Sequence, residues 1–157
     1  RGGPLDTGAL DRVVSGLGLA REAVVAHAWC DNGPPWQGLL LRSAQDVLDL
    51  RPNPALLAGQ FVGVAAPHPP GQGDGCDYEV RTFFPGSSGL VEDPVTGSFN
   101  AALGQWLTGT GLAPPRYLAA QGTVLGRAGR VHVERDPQGQ VWVGGQTVTC
   151  IDGQARL

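Results

Sequence analysis

Residues 91–109 read Val-Glu-Asp-Pro-Val-Thr-Gly-Ser-Phe-Asn-Ala-Ala-Leu-Gly-Gln-Trp-Leu-Thr-Gly. Two carboxylates, Glu92 and Asp93, precede Pro94, which fixes its own φ and pushes Asp93 toward an extended conformation. Beyond them Phe99, Ala102, Leu103, Trp106 and Leu107 recur as one broad helical face, and Gly109 and Gly111 are stop signals. The spacing predicts a helix over 98–108. Phe99 and Trp106 are large apolar side chains, each gaining about 2–3 kcal/mol on burial, so both are expected to be largely enclosed and this helix to be the centre of the fold.

The chemistry expected of this stretch follows from what stands at the helix entrance. A helix N-terminus presents unpaired N–H groups and a partial positive charge. Thr96, Gly97 and Ser98 open the helix; Gly97 lets a ligand approach the backbone and Ser98 adds a hydroxyl. That combination suits a bound carboxylate or phosphate. The plain alternative is that Thr96 or Ser98 is only an N-cap and Asp93 a turn former.

Outward from this helix, the N-terminal part reads as a helix capped by Asp6 or Thr7, with Leu10, Val13, Val14 and Leu17 as its stripe. Strands follow at 23–29 and 36–41, joined by the turn Asp31-Asn32-Gly33-Pro34-Pro35 and expected to be antiparallel. A helix starts at Ser43 and stops at Pro52, and 54–58 reads as one more helical turn. Strands are expected at 61–66 and 77–84, with 68–74 an exposed loop and 85–89 a loop leading to the acids. After Gly111, short strands at 117–125, 131–134, 140–143 and 147–151 alternate with glycine turns, which predicts an antiparallel meander. The fold class is α+β: a curved mixed sheet with a helix on its concave face, in one domain over 1–157.

Composition narrows the function classes. The chain is 41% hydrophobic, enough for a core, and its net charge of −3 gives no basic footprint for nucleic acid. No signal peptide or long apolar run occurs, so neither membrane spanning nor export is expected and the cytoplasm is the expected compartment. Cys30, Cys76 and Cys150 have no C-x-x-C spacing and read as free thiols. No metal is assigned: His27 and His132 fall in strand patterns and His68 in a loop without a second ligand nearby in sequence. The start at Arg1 and the lack of methionine lead to the expectation of either a removed initiator methionine or a piece of a longer chain.

The segment from Val80 to Ser98 closely resembles the second-domain signature of the PhzF-like (phenazine-biosynthesis) isomerase family, R-x-F-x-P, a short loop, then E-D-P-x-T-G-S. Asp31 to Trp36, Gly38 to Leu41, Leu50-Arg51-Pro52, Gln121-Gly122, Arg127, Gly129 to Val133 and Val143 to Gly145 resemble other parts of that domain, so the likeness covers nearly the whole chain. The resemblance implies a diaminopimelate-epimerase-like fold of two similar halves, each a curved sheet around a central helix, with the active site in the cleft between them. It implies that this chain is the second half. The first half, with its general-base acid and its Gly-His pair, has no matching segment here. By position, Asp93 corresponds to the family's active-site aspartate, and Gly97 and Ser98, with Thr96 beside them, to the groups that hold substrate. Where related epimerases carry C-G-T-G, this chain has Pro94-Val95-Thr96-Gly97, so a two-thiol racemase is not expected; Phe99 replaces the family's usual Ala.

The resulting expectation is one half of a cofactor-independent isomerase or epimerase that moves a proton on a small carboxylate. Its cleft would be shared with the absent N-terminal half, and the chain alone is expected to be inactive. The competing reading is a non-catalytic binding or interaction domain that kept the fold. Two copies of this chain, paired as a homodimer, are the other way to close a cleft. Asn32 and Trp36 are candidates for its wall.

Overall fold

The computed structural model describes residues 2–156. The described residues form three α-helices and one eight-stranded mixed sheet, with short 3-10 turns between them. The helices are α1 (Thr7–Leu17), α2 (Ala44–Leu48) and α3 (Gly97–Gly109). The strands are β1 (Val24–Asp31), β2 (Pro35–Leu41), β3 (Val62–Pro67), β4 (Tyr78–Gly86), β5 (Gly89–Glu92), β6 (Arg116–Gln121), β7 (Gly129–Arg135) and β8 (Val141–Gly144). They are ordered β1-β2-β3-β4-β6-β7-β8, with β5 paired to β4. The pairs β2–β3 and β4–β6 are parallel and the others antiparallel. A parallel pair needs a crossover; α2 lies in one and α3 in the other.

The central strands of the sheet, β2, β3 and β4, are buried on both faces. Leu39, Leu41, Val62, Val64, Ala66 and Phe83 pack with α1 and α2 on one side. Leu40, Ala65, Tyr78, Val80, Ala119 and Val133 pack with α3 on the other. Adjacent residues of one strand therefore join different cores, which is why 39–41 of β2 and 62–66 of β3 read as apolar runs. Helix α1 carries its own deep stripe, with Leu10, Val13 and Leu17 no more than 1% exposed. Of the two expected caps Asp6 takes the role, its carboxylate accepting from the Ala9 N–H, and Gly18 closes the helix at φ 68°.

Helix α3 touches β7 and β8 at one end of the strand order and β1 at the other, so the sheet curls around it. Close approach depends on missing side chains. A Cβ on Gly63 would stand 2.1 Å from the Phe99 ring, and one on Gly104 would stand 2.7 Å from Val133. Phe99 is fully buried on Gly63, whereas Trp106 is only half-buried. The expectation that both would be enclosed holds for Phe99 alone, because Trp106 lies on a flank of the helix.

The single turn expected at 54–58 forms over 54–59, closed by Leu57 N–H to Asn53 O at 3.1 Å. Other expectations are corrected. The 85–89 segment is a tight β4–β5 hairpin, with Pro85 and Gly86 in the ladder. The 117–125 strand stops at Gln121 because Gly122 turns left-handed at φ 85° and a 3-10 turn follows. Residues 147–151 pair with nothing among the described residues and stay exposed, with Val148 and Ile151 at 84% and 91%. His68, at the start of the loop expected to be exposed, is mostly buried: its Nε2 lies 3.2 Å from Oε2 of the buried Glu79.

Truncating Phe99 to Ala is expected to cost about 3–5 kcal/mol in urea unfolding, and Trp106→Ala clearly less. Equal losses would show that the two aromatics are buried alike.

Candidate active site

Glu92 and Asp93 part ways in the structure. The Arg81 guanidinium, on buried β4, grips Glu92 with two bonds of 2.8 Å, from Nε to Oε1 and from Nη2 to Oε2. Its Nη1 donates to the carbonyls of Val47, Leu48 and Leu50 at 3.1–3.3 Å, where α2 ends. Fork-to-fork geometry fixes orientation as well as charge. Glu92 is thus a structural anchor that fastens β5 to β4 and α2.

Asp93 follows the strand ladder by one residue, its N–H donating to Thr82 O at 3.2 Å, and then Pro94 turns the chain out to solvent. Its side chain is half-buried, and Oδ2 accepts the Thr96 hydroxyl at 2.8 Å. Thr96 stands at the N-cap position of α3, but its side chain makes no capping bond. Behind it lies a buried polar cluster of Thr82, Asn100 and Gln121, each 0% exposed. Gln121 Oε1 accepts from Thr96 N–H at 3.1 Å and from Asn100 Nδ2 at 2.8 Å. Its Nε2 reaches Asp93 O and Thr96 Oγ1, both at 3.0 Å, and Thr82 Oγ1 at 3.2 Å. The segments meet this closely because Gly122 has no side chain: a Cβ there would lie 2.7 Å from Pro94 O.

Gly97 and Ser98 form the first turn of α3. Gly97 is exposed, and nothing lies within 4 Å of where its Cβ would stand. The Ser98 hydroxyl accepts from Trp36 Nε1 at 3.1 Å and keeps its own proton to donate. Asn32 Nδ2 holds Ser98 O at 2.8 Å. Trp36 is itself buried, edge-on to Phe61 and Phe99 with ring centroids at 5.3 and 5.6 Å. The β1–β2 turn therefore clamps the helix entrance from one side, and the Asp93–Thr96 segment flanks it from the other. No side chain among the described residues caps this end of α3, so its first N–H groups face an open approach.

The structure places Asp93, Thr96, Gly97 and Ser98 together at the start of α3. Gln121, Thr82 and Asn100 were missed as members of the cluster. The available signals were Asn100, a polar residue next to the apolar stripe of the helix, and the Gln121-Gly122 pair within the family resemblance. Thiol chemistry has no support here. Cys30 lies in the core beneath α3, where burial pushes its thiol up to about 12. Among the described residues no three His, Cys, Asp or Glu side chains are grouped for a metal.

The family model described as Phenazine biosynthesis-like protein matches residues 6–153. Antisense-enhancing sequence 1 of Schizosaccharomyces pombe is 32% identical over 161 residues, covering 94% of this chain and 53% of that protein. An uncharacterized isomerase of Salmonella typhimurium is 32% identical over 154 residues, covering 87% of this chain and 50% of that one. A solved structure described as a predicted epimerase from Pseudomonas aeruginosa superposes with a TM-score of 0.66 at 27% identity, over 92% of this chain and 51% of its own. The chain spans about half the length of the curated relatives it matches. The likeness bears out the α+β fold with a curled sheet around a central helix.

The different duties of the two acids are separable. Glu92→Gln leaves the Arg81 charge buried without its partner and is expected to cost about 3–5 kcal/mol. Asp93→Asn keeps an acceptor for Thr96 at a half-buried position and is expected to cost far less. Denaturant midpoints of the two variants check this; equal losses would make Asp93 a structural residue too.

Proposed function

The chain belongs to the phenazine biosynthesis-like protein family, and on that premise we propose that it is one half of a cofactor-independent isomerase or epimerase moving a proton on a small carboxylate substrate. The observation that carries this reading is the uncapped α3 entrance beside Asp93. Removing a proton from carbon next to a carboxylate builds negative charge on the substrate. Oriented N–H groups of Gly97 and Ser98 stabilise that charge without reorganising. The Ser98 hydroxyl adds a donor, held in place by Trp36. Asp93 accepts the proton or returns it to another carbon.

A cleft shared with an absent N-terminal half fits the surface around this entrance. Val95 on one side and Val124 and Leu125 on the other are 42–45% exposed, on segments that touch through Pro94 and Gly122. Arg127, on the same rim, is exposed and has no ion-pair partner among the described residues. Free cysteines fit a reducing cytoplasm, and no described helix is long and apolar enough to cross a membrane. The competing reading, a binding domain without catalysis, draws on the single carboxylate at the entrance: proton removal and return on two carbons asks for groups on both sides of a substrate. A homodimer with facing Asp93 sites would supply two.

Two measurements separate these readings. Titrating a small dicarboxylate is expected to move the amide signals of residues 96–99, and Gly97→Val to abolish the movement by covering the N–H groups. Equal movement in Gly97→Val would reduce the entrance to a helix end. In D2O, the isolated chain is expected to exchange no deuterium into small carboxylates, whereas the chain joined to a first half does. Asp93→Asn should slow that exchange by about 10²–10⁴-fold. Exchange by the chain alone, lost in Asp93→Asn, would favour the homodimer; binding without exchange in any form would favour the non-catalytic domain.

A further inference from the structure

We infer that Thr96 and Gln121 are positioning residues for Asp93: they hold its Oδ2 and leave Oδ1 as the oxygen that trades a proton with substrate. The inference rests on the isomerase reading for what Oδ1 does, but not for how the carboxylate is held.

The proton on Thr96 decides the direction of the network. A threonine at an N-cap ordinarily accepts from a free N–H of the first turn, a bond whose loss typically costs about 1 kcal/mol. Thr96 makes no such bond. Its one hydroxyl proton goes to Asp93 Oδ2 at 2.8 Å, because a carboxylate accepts only. The Thr82–Thr96 contact of 2.6 Å must then run from the Thr82 hydroxyl to Thr96 Oγ1. The order of donation is Thr82 to Thr96 to Asp93.

Gln121 removes the remaining freedom. Its Oε1 faces two obligatory donors, the Thr96 N–H and Asn100 Nδ2. Flipping the amide would set donor against donor, so Nε2 is fixed toward Asp93 O and Thr96 Oγ1. One side chain thus grips Asp93 at its backbone and, through Thr96, at its carboxylate. Gln121 ends β6, where it pairs with Val80 of β4. Asp93 is therefore indexed to the centre of the sheet rather than to the exposed turn at Pro94 and Val95. Thr82 and Gln121 are fully buried and Thr96 is 5% exposed, so solvent offers them no substitute partners. Asp93 Oδ1 has no hydrogen-bond partner among the described residues, and the side chain is half-buried, open on one side. That asymmetry gives one carboxylate oxygen a fixed place and the other a free lone pair.

The test reads the position of Asp93 directly. In the labelled chain, three-bond couplings are expected to report a single Asp93 χ1 rotamer. Thr96→Val, which keeps the shape and removes the donor, is expected to give averaged couplings while the α3 amide spectrum stays in place. Thr96→Ser is expected to restore the single rotamer. Should Thr96→Val fail to fold, Thr82→Val removes the donor behind it and is expected to produce partial averaging. A single rotamer surviving the loss of the hydroxyl, or averaging in Thr96→Ser equal to that in Thr96→Val, would overturn the inference. With the first half present, Thr96→Val is expected to lower kcat for deuterium exchange about ten- to a hundredfold with little change in KM, and Thr96→Ser to recover it. If the unmodified two-half protein exchanges no deuterium, the isomerase reading falls while the rotamer result still judges how Asp93 is held.

Discussion

Phe99 lying on Gly63 sets the depth at which α3 sits in the sheet. The ring fills the space above β3 that any larger residue at position 63 would occupy. With that contact made, Leu103 and Leu107 fall into the same core, and Gly104 comes against Val133. The sheet can then curl until strands from opposite ends, β1 and β8, both reach the helix. Close packing of this kind tolerates little change in volume. It also fixes where the helix begins, and that start is the proposed site.

The opposite face of the sheet serves the same end differently. Arg81 is a buried charge, which is costly unless every donor is used. Here all three guanidinium nitrogens are engaged, two by Glu92 and one by the end of α2. The result locks β5 alongside β4 up to Glu92. Only the next residue leaves the ladder. Asp93 therefore stands at a point set by an anchored strand, and the adjacent acid is the anchor.

Much of this was legible in the sequence, for identifiable reasons. The apolar face of α3, the Asp6 cap of α1, and the turn at Asp31–Pro35 are local patterns, and local patterns survive into the fold. Asp93, Gly97 and Ser98 were legible through the resemblance, since adjacent residues at a helix start are neighbours in space whatever the rest does. Gln121 was not, because its role depends on a parallel pairing of β6 with β4 across an intervening helix. The His68–Glu79 contact was not legible either, because the two lie eleven residues apart and meet only through the antiparallel pairing of β3 with β4. Residues 147–151 show the converse: a β-branched pattern describes what a segment can pair with, and no neighbouring edge pairs with it here.

Two local energetic concessions meet at the entrance of α3. The first N–H groups lack a side-chain cap, which exposure makes inexpensive, since water satisfies them. Asn100 Oδ1, in contrast, is fully buried without a partner. An unsatisfied buried polar atom costs about 1–3 kcal/mol, and an apolar residue at 100 would extend the stripe formed by Phe99 and Leu103. Asn100 nonetheless spends both amide protons on the Thr96 carbonyl and Gln121 Oε1. Those two bonds orient Gln121, which orients Thr96, which holds Asp93. Local rules of good packing are thus broken beside the helix end that the proposed site occupies, where Thr96 holds the Asp93 carboxylate.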